Sequence, residues 1–253
     1  VNPSFGPRGL NLLENGLIPK MAVKSLLELD EGREVRQLAI LDVHGNVEAF
    51  TGSNCIKEAG HIVGNNFSVQ ANLMEKNTVW PAMEKAFKNA KGSLAERMLI
   101  AMEAAQNEGG DIRGKQSAAI LVVKAKSTGN SWEDNVVDLR VEDHKNPLQE
   151  MRRLLTIHTA YDFMNKGDLA VETGNNVLAK QHYMNAQKLN PNNLEMKYWY
   201  AIALANNGEL NEAKAILKAI FKKNSKWKTL TPRLMKPKLL MISEKELQEI
   251  LKL

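Results

Sequence analysis

The sequence predicts an α+β front domain over residues 1–150, followed by an all-α domain over residues 151–253. Three observations carry this. β-rich runs broken by turn residues, interleaved with helix-period stretches, fill the chain up to about Lys145. Beyond Pro147 the pattern is almost purely helical. Within that half, two stretches superimpose when the chain is slid by 34 residues: Gly174 pairs with Gly208, Ala170 with Leu204, Ala179 with Ala213, Tyr183 with Leu217 and Ala186 with Ile220.

In chain order, Pro7–Gly16 reads as a short helix and Pro19–Asp30 as another, with Pro19 in its first turn. Val35–Val43 and Val47–Thr51 flank His44-Gly45-Asn46, the pattern of a hairpin. Asn66–Asn72 reads as a strand. Helices follow over Asn77–Lys91 and Ser93–Asn107, with Ser93 as N-cap and Gly109-Gly110 as the stop. Gln116–Lys124 is nearly all apolar and reads as a strand buried on both faces. Ser127–Asp134 is the polar connection to a last strand, Val136–Val141. Pro147 opens a helix running towards Asn165, and the boundary between halves falls near Lys145–Thr156.

In the second half, small residues recur where two helices cross closely, and larger apolar ones recur where a hairpin meets its neighbour. That is the pattern of a tetratricopeptide repeat, here Ala160–Asn193 and Leu194–Trp227. Two repeats are few for independent stability, so they are expected to lean on a neighbour. Ser243 opens a capping helix in the tail. Such repeats bind partners, which predicts a protein or peptide partner through residues 158–227 and places any catalysis in the front half.

At 43% hydrophobic and 25% charged residues, the 253-residue chain reads as globular. No apolar run is long enough for a membrane helix. One cysteine, Cys55, excludes an internal disulfide and fits a reducing, cytoplasmic setting. The charge is uneven: 17 basic against 20 acidic residues up to Glu150, then 17 against 9. Nine basic side chains and no acidic one lie between Lys214 and Lys238. With only Phe221 and Trp227 among them, base stacking on nucleic acid is poorly supported and a solvated helix face is favoured.

The densest polar cluster runs from Gly109 to Ala119, between a helix end and a strand. Glycines allow close backbone approach there, and Asp111, Arg113 and Ser117 are offered together. The plain alternative is a tight connection in which Asp111 and Arg113 pair with each other. Asp143-His144 is a second candidate, since a carboxylate beside a histidine can support general-base chemistry; neighbours at a strand end point to opposite sides, so the two need not converge. His61, in a predicted loop, is ambiguous, and His158 and His182 fall in helices. Cys55 has no neighbour that would activate a thiolate. No metal-ligand spacing, phosphate loop or dinucleotide fingerprint appears, so neither metal nor cofactor is expected.

Five ordered motifs add a family. They are Asn2-Pro3-Ser4-Phe5-Gly6-Pro7-Arg8-Gly9-Leu10, Gly32-Arg33-Glu34-Val35-Arg36-Gln37, Ala49-Phe50-Thr51-Gly52, the Gly109–Ala119 run, and Asp138-Leu139-Arg140-Val141-Glu142-Asp143-His144. Together they resemble the domain-of-unknown-function 1028 family, grouped with the N-terminal-nucleophile hydrolases. The resemblance implies an αββα sandwich and an N-terminal Thr, Ser or Cys nucleophile that cleaves amide bonds. Asn72, Asp111, Arg113, Ser117, Asp143 and His144 are then the substrate-pocket candidates.

The sequence departs from that pattern at Ala71, where the family shows glycine, and at Val1, whose side chain cannot attack a carbonyl. It is therefore expected to lack its leading strands, to have no nucleophile, and to be inactive in this form. An incomplete sheet implies an open edge or face near residues 35–43 or 116–124, which would favour a homo-oligomer. The competing expectation is a non-enzymatic scaffold acting through the repeats.

Overall fold

A computed structural model describes residues 2–253; the expectation resting on Val1 lies outside them. The chain divides into two compact units, Val1–Arg152 and Arg153–Leu253. The first is mixed α+β and the second is a helical repeat region.

The first unit opens with helices α1 (Phe5–Glu14) and α2 (Pro19–Glu28). Strands β1 (Gln37–Leu41) and β2 (Val47–Thr51) form the expected antiparallel hairpin, with Gln37 opposite Thr51 and Leu41 opposite Val47. Asp42 closes its turn by accepting from the backbone N–H groups of His44 and Asn46, each at 2.9 Å. A second hairpin follows, β3 (Gly60–Gly64) against β4 (Phe67–Ala71). His61, expected in a loop, is thus a strand residue. Helices α3 (Val79–Asn89) and α4 (Leu94–Asn107) pack with β4 in a core of Val69, Ala71, Val79, Met83, Ala101 and Ala105. Ser93 caps α4 as expected, accepting from Glu96 N–H at 3.2 Å.

Strand β5 (Ala118–Val123), the short helix α5 (Ser131–Asp134) and strand β6 (Asn135–Val141) complete the unit. Here a second correction is needed. β5 is not buried on both faces: Ile120 is 3% exposed, whereas Leu121 and Val123 are each 54% exposed. The strand alternates, and its open face lies within the expected span 116–124. Among the described residues the six strands make three separate two-stranded antiparallel sheets.

Gln37 ties the first two hairpins together. Its Nε2 donates to Ala71 O at 2.9 Å, Thr51 Oγ1 at 3.0 Å and Gly60 O at 3.2 Å, and Thr51 Oγ1 lies 2.8 Å from His61 Nδ1. At the end of α2, Asp30 accepts from Arg36 Nε and Gly32 N–H, each at 2.8 Å, and from Asn2 Nδ2 at 3.4 Å. Arg36 is the main cause that holds the Asp30 carboxyl down from 3.8 to about 2. A depressed carboxylate stabilises fully above its unfolded value and loses that stabilisation as pH falls through the folded one. Asp30→Asn is therefore expected to weaken the fold at neutral pH and to flatten its acid sensitivity between pH 3.8 and 2. Urea unfolding across that range measures it; parallel pH profiles for the two proteins would contradict it.

The second unit is built from the later turns of α6 (Pro147–Glu172) with α7 (Asn176–Leu189), then α8 (Leu194–Asn206) with α9 (Leu210–Lys223), then α10 (Lys226–Leu230) and α11 (Glu244–Leu251). The 34-residue spacing has a direct counterpart. Gly174 and Gly208 end their helices at φ of 73° and 82°, and Ala179 and Ala213 are fully buried where helices cross. Tyr198, Leu204, Leu217 and Ile220 form the deepest core, which α11 closes with Leu247 and Ile250. Ser243 and Glu246 make a reciprocal cap on α11.

Candidate functional site

The Gly109–Ala119 run lines an open cavity of about 660 Å³ in the first unit. Gly109, Gly110 and Gly114 have φ of 120°, 71° and 112°, a region closed to most side chains, so the loop needs them to turn. The loop is pinned to the chain after β4, with Ile112 N–H donating to Leu73 O and Glu75 N–H to Gly110 O, each at 2.9 Å. Asp111, Arg113 and Ser117 all line the cavity, with Met74, Met102 and Lys115 beside them.

The pairing expected as the plain alternative is present. Asp111 accepts from Arg113 Nη2 at 2.7 Å, from its Nε at 3.0 Å and from its backbone N–H at 2.8 Å. The Arg113 hydrogen bond is the leading cause that lowers the Asp111 carboxyl below its usual value, and Asp111 raises Arg113 in turn. This pairing uses Arg113 Nε–H and one Nη2–H and partly neutralises its charge, while its Nη1 end stays open.

The other three candidates are not brought into this cavity. Asn72 sits at the end of β4, its Oδ1 buried without a hydrogen-bond partner. Asp143 and His144 are exposed beyond the end of β6. His144 Nδ1 accepts from Asn146 N–H at 3.0 Å, which gives it a role in the turn leading into α6. Cys55 is half-buried, its Sγ donating to Arg36 O at 3.4 Å. Among the described residues no cluster of His, Cys, Asp and Glu is placed to hold a metal ion.

Two features escaped the sequence reading. The Arg152 guanidinium spans α4, meeting Glu103 twice at 2.6 and 2.7 Å and Glu96 at 2.5 Å. The glutamates hold Arg152 protonated far above its ordinary range, Glu103 foremost. The second feature lies in the repeat unit, a groove of about 400 Å³ floored by Leu194, Tyr200, Ile216 and Ile220. Lys197 and Lys223 stand in its lining. Neither lysine makes an ion pair among the described residues. Both residues fall inside the predicted partner-binding span 158–227, but a single sequence does not mark which face of a helix is the groove.

Comparison with known proteins gives the front half a family. A model described as a family of unknown function, DUF1028, matches residues 1–151, and a tetratricopeptide repeat model matches residues 170–231. Among solved structures, the chain is similar to a protein from Silicibacter pomeroyi, SPO2555, itself assigned to DUF1028. The two are 30% identical with a TM-score of 0.52, over 61% of this chain and 66% of that one. The chain thus spans just under two thirds of that relative's length. No curated protein matches. None of the helices among the described residues is long and apolar enough to cross a membrane.

Proposed function

The chain belongs to the DUF1028 family and carries a tetratricopeptide-type region behind its family domain, and from that premise we propose that it works as a partner-binding protein. Its repeat unit holds an acidic segment of another protein in the α8–α9 groove. The observation that carries this reading is the pair Lys197 and Lys223, unpaired over an apolar floor, in a half-chain with 17 basic and 9 acidic residues. Apolar contacts give such a site its affinity, and the flanking charges select the partner and speed its approach.

The domains act as 1–150 and 151–253, and the front one descends from an N-terminal-nucleophile-hydrolase-like αββα sandwich. Its three antiparallel hairpins with helices alongside support that ancestry. Hydrolysis is not part of the proposal. Asp111 is engaged by Arg113, and Ser117 has no general base hydrogen-bonded to it among the described residues.

A fluorescein-labelled peptide alternating leucine with glutamate tests the reading, with a leucine–lysine peptide as its counterpart. The acidic peptide is expected to bind the full chain with salt-sensitive affinity. Lys197→Glu with Lys223→Glu should weaken it by about tenfold or more, roughly what losing two partly desolvated charge contacts costs. Equal binding of both peptides, or indifference to the double reversal, would refute it.

A further inference from the structure

β6 is an edge strand. Among the described residues it pairs only with β5, which leaves its other row of N–H and C=O groups without a strand neighbour. Proteins guard such edges with proline, lysine or a bulge. Asn135–Val141 contains neither proline nor lysine, and its one bulge, at Val136, sits at the start of the strand and leaves Val137–Val141 in regular register. A two-stranded hairpin is also marginal by itself, and a third or fourth strand stabilises it. The outer face beside the edge is apolar as well: Leu121 and Val123 are each 54% exposed, Val136 47% and Trp132 76%.

We propose that β6 pairs antiparallel with β6 of a second copy, about a two-fold axis through Leu139. The charges select this register. Directly opposed residues share a face, so only axes centred on a residue are allowed. An axis at Asp138 would set Asp138 against itself, and one at Arg140 would set Arg140 against itself and Asp138 against Glu142. The axis at Leu139 instead sets Asp138 opposite the second copy's Arg140, twice. On the inner face it continues the apolar row, Leu139 against Leu139 and Val137 against Val141. Asp138 and Arg140 are both exposed, 3.4 Å apart on their own strand and free to exchange partners across the axis. The product is a four-stranded sheet ordered β5-β6-β6-β5. This inference stands apart from the peptide groove, which lies in the other unit.

Light scattering on the full chain over a concentration series reads the mass. The wild type is expected to reach twice the chain mass. Asp138→Arg and Arg140→Asp each create like-charge pairs across the axis, so each alone should raise the dissociation constant about tenfold. Mixed in equal amounts, the two variants become complementary and should form a heterodimer; a defect confined to one chain's folding would not be repaired by mixing. A wild type that remains monomeric at every concentration, single variants that dimerise like the wild type, or a mixture that stays monomeric would each overturn the proposal. A β6 edge filled by a strand of some other protein would appear as the first of these.

Discussion

Gly52→Ala is expected to destabilise the first unit by about 3 kcal/mol, the upper part of the range for forcing a methyl into a packed site. A Cβ at Gly52 would stand 2.3 Å from Glu34 O and 2.8 Å from Arg33 O. Both obstacles are backbone, so no rotamer change clears them. The approach is this close because Gly52 N–H donates to Arg36 O at 2.9 Å and Asn54 N–H to Glu34 O at 2.8 Å. Moving the two segments apart to admit the methyl stretches both bonds, and with them the contacts of Glu34 Oε2 to Ser53 N–H and Oγ at 3.1 and 2.7 Å. Gly6→Ala is the control, because nothing lies within 4 Å of its Cβ and it sits in α1, where alanine should be neutral or slightly stabilising. Urea unfolding of the full chain, with hydrogen exchange at the β1–β2 amides, separates the two. Similar stabilities for both variants would show that the 33–36 and 52–54 segments are not tightly apposed.

That glycine also shows what a single sequence can and cannot reveal. Ala49-Phe50-Thr51-Gly52 is conspicuous as a motif, but its reason is a contact with residues 33–36, which adjacency along the chain does not display. The helical repeats were readable because their constraint is local and recurs: the same small residue is needed at Ala179 and again at Ala213. β3 was missed because Gly60-His61-Ile62-Val63-Gly64 is short and bounded by glycines, although Asn65-Asn66 supplies the turn and Asn66 takes a φ of 62°. β5 departs from the expectation because six apolar residues in a row suit burial on two faces, and the sequence does not say that one face lies open. The Arg152 pairs with Glu96 and Glu103 join residues 56 and 49 positions apart, beyond any periodicity. In the cavity, the mutual pairing of Asp111 and Arg113 was visible from their spacing of two residues.

The close helix crossing in the repeat unit gives the second large effect, and one whose sign depends on its neighbour. Gly167 lies in α6, where a Cβ would meet the Tyr183 ring of α7 at 2.5 Å. The ring has little freedom to retreat. It is 2% exposed, its hydroxyl donates to Asp168 Oδ1 at 2.7 Å, and Trp199 stacks near it at 6.5 Å between centroids. Burial, then Asp168, pushes the Tyr183 hydroxyl far above the ordinary phenol range, so it remains a neutral donor and the anchor persists across ordinary pH. Gly167→Ala should therefore cost about 2 kcal/mol by overpacking. In a Tyr183→Leu background the obstacle is gone. There the same change should follow helix propensity alone and become neutral or stabilising, by up to about 1 kcal/mol. A double-mutant cycle by urea unfolding measures the difference. An unchanged penalty in both backgrounds would mean that something other than Tyr183 fills the space above Gly167, and that the α6–α7 crossing is not held at the distance described.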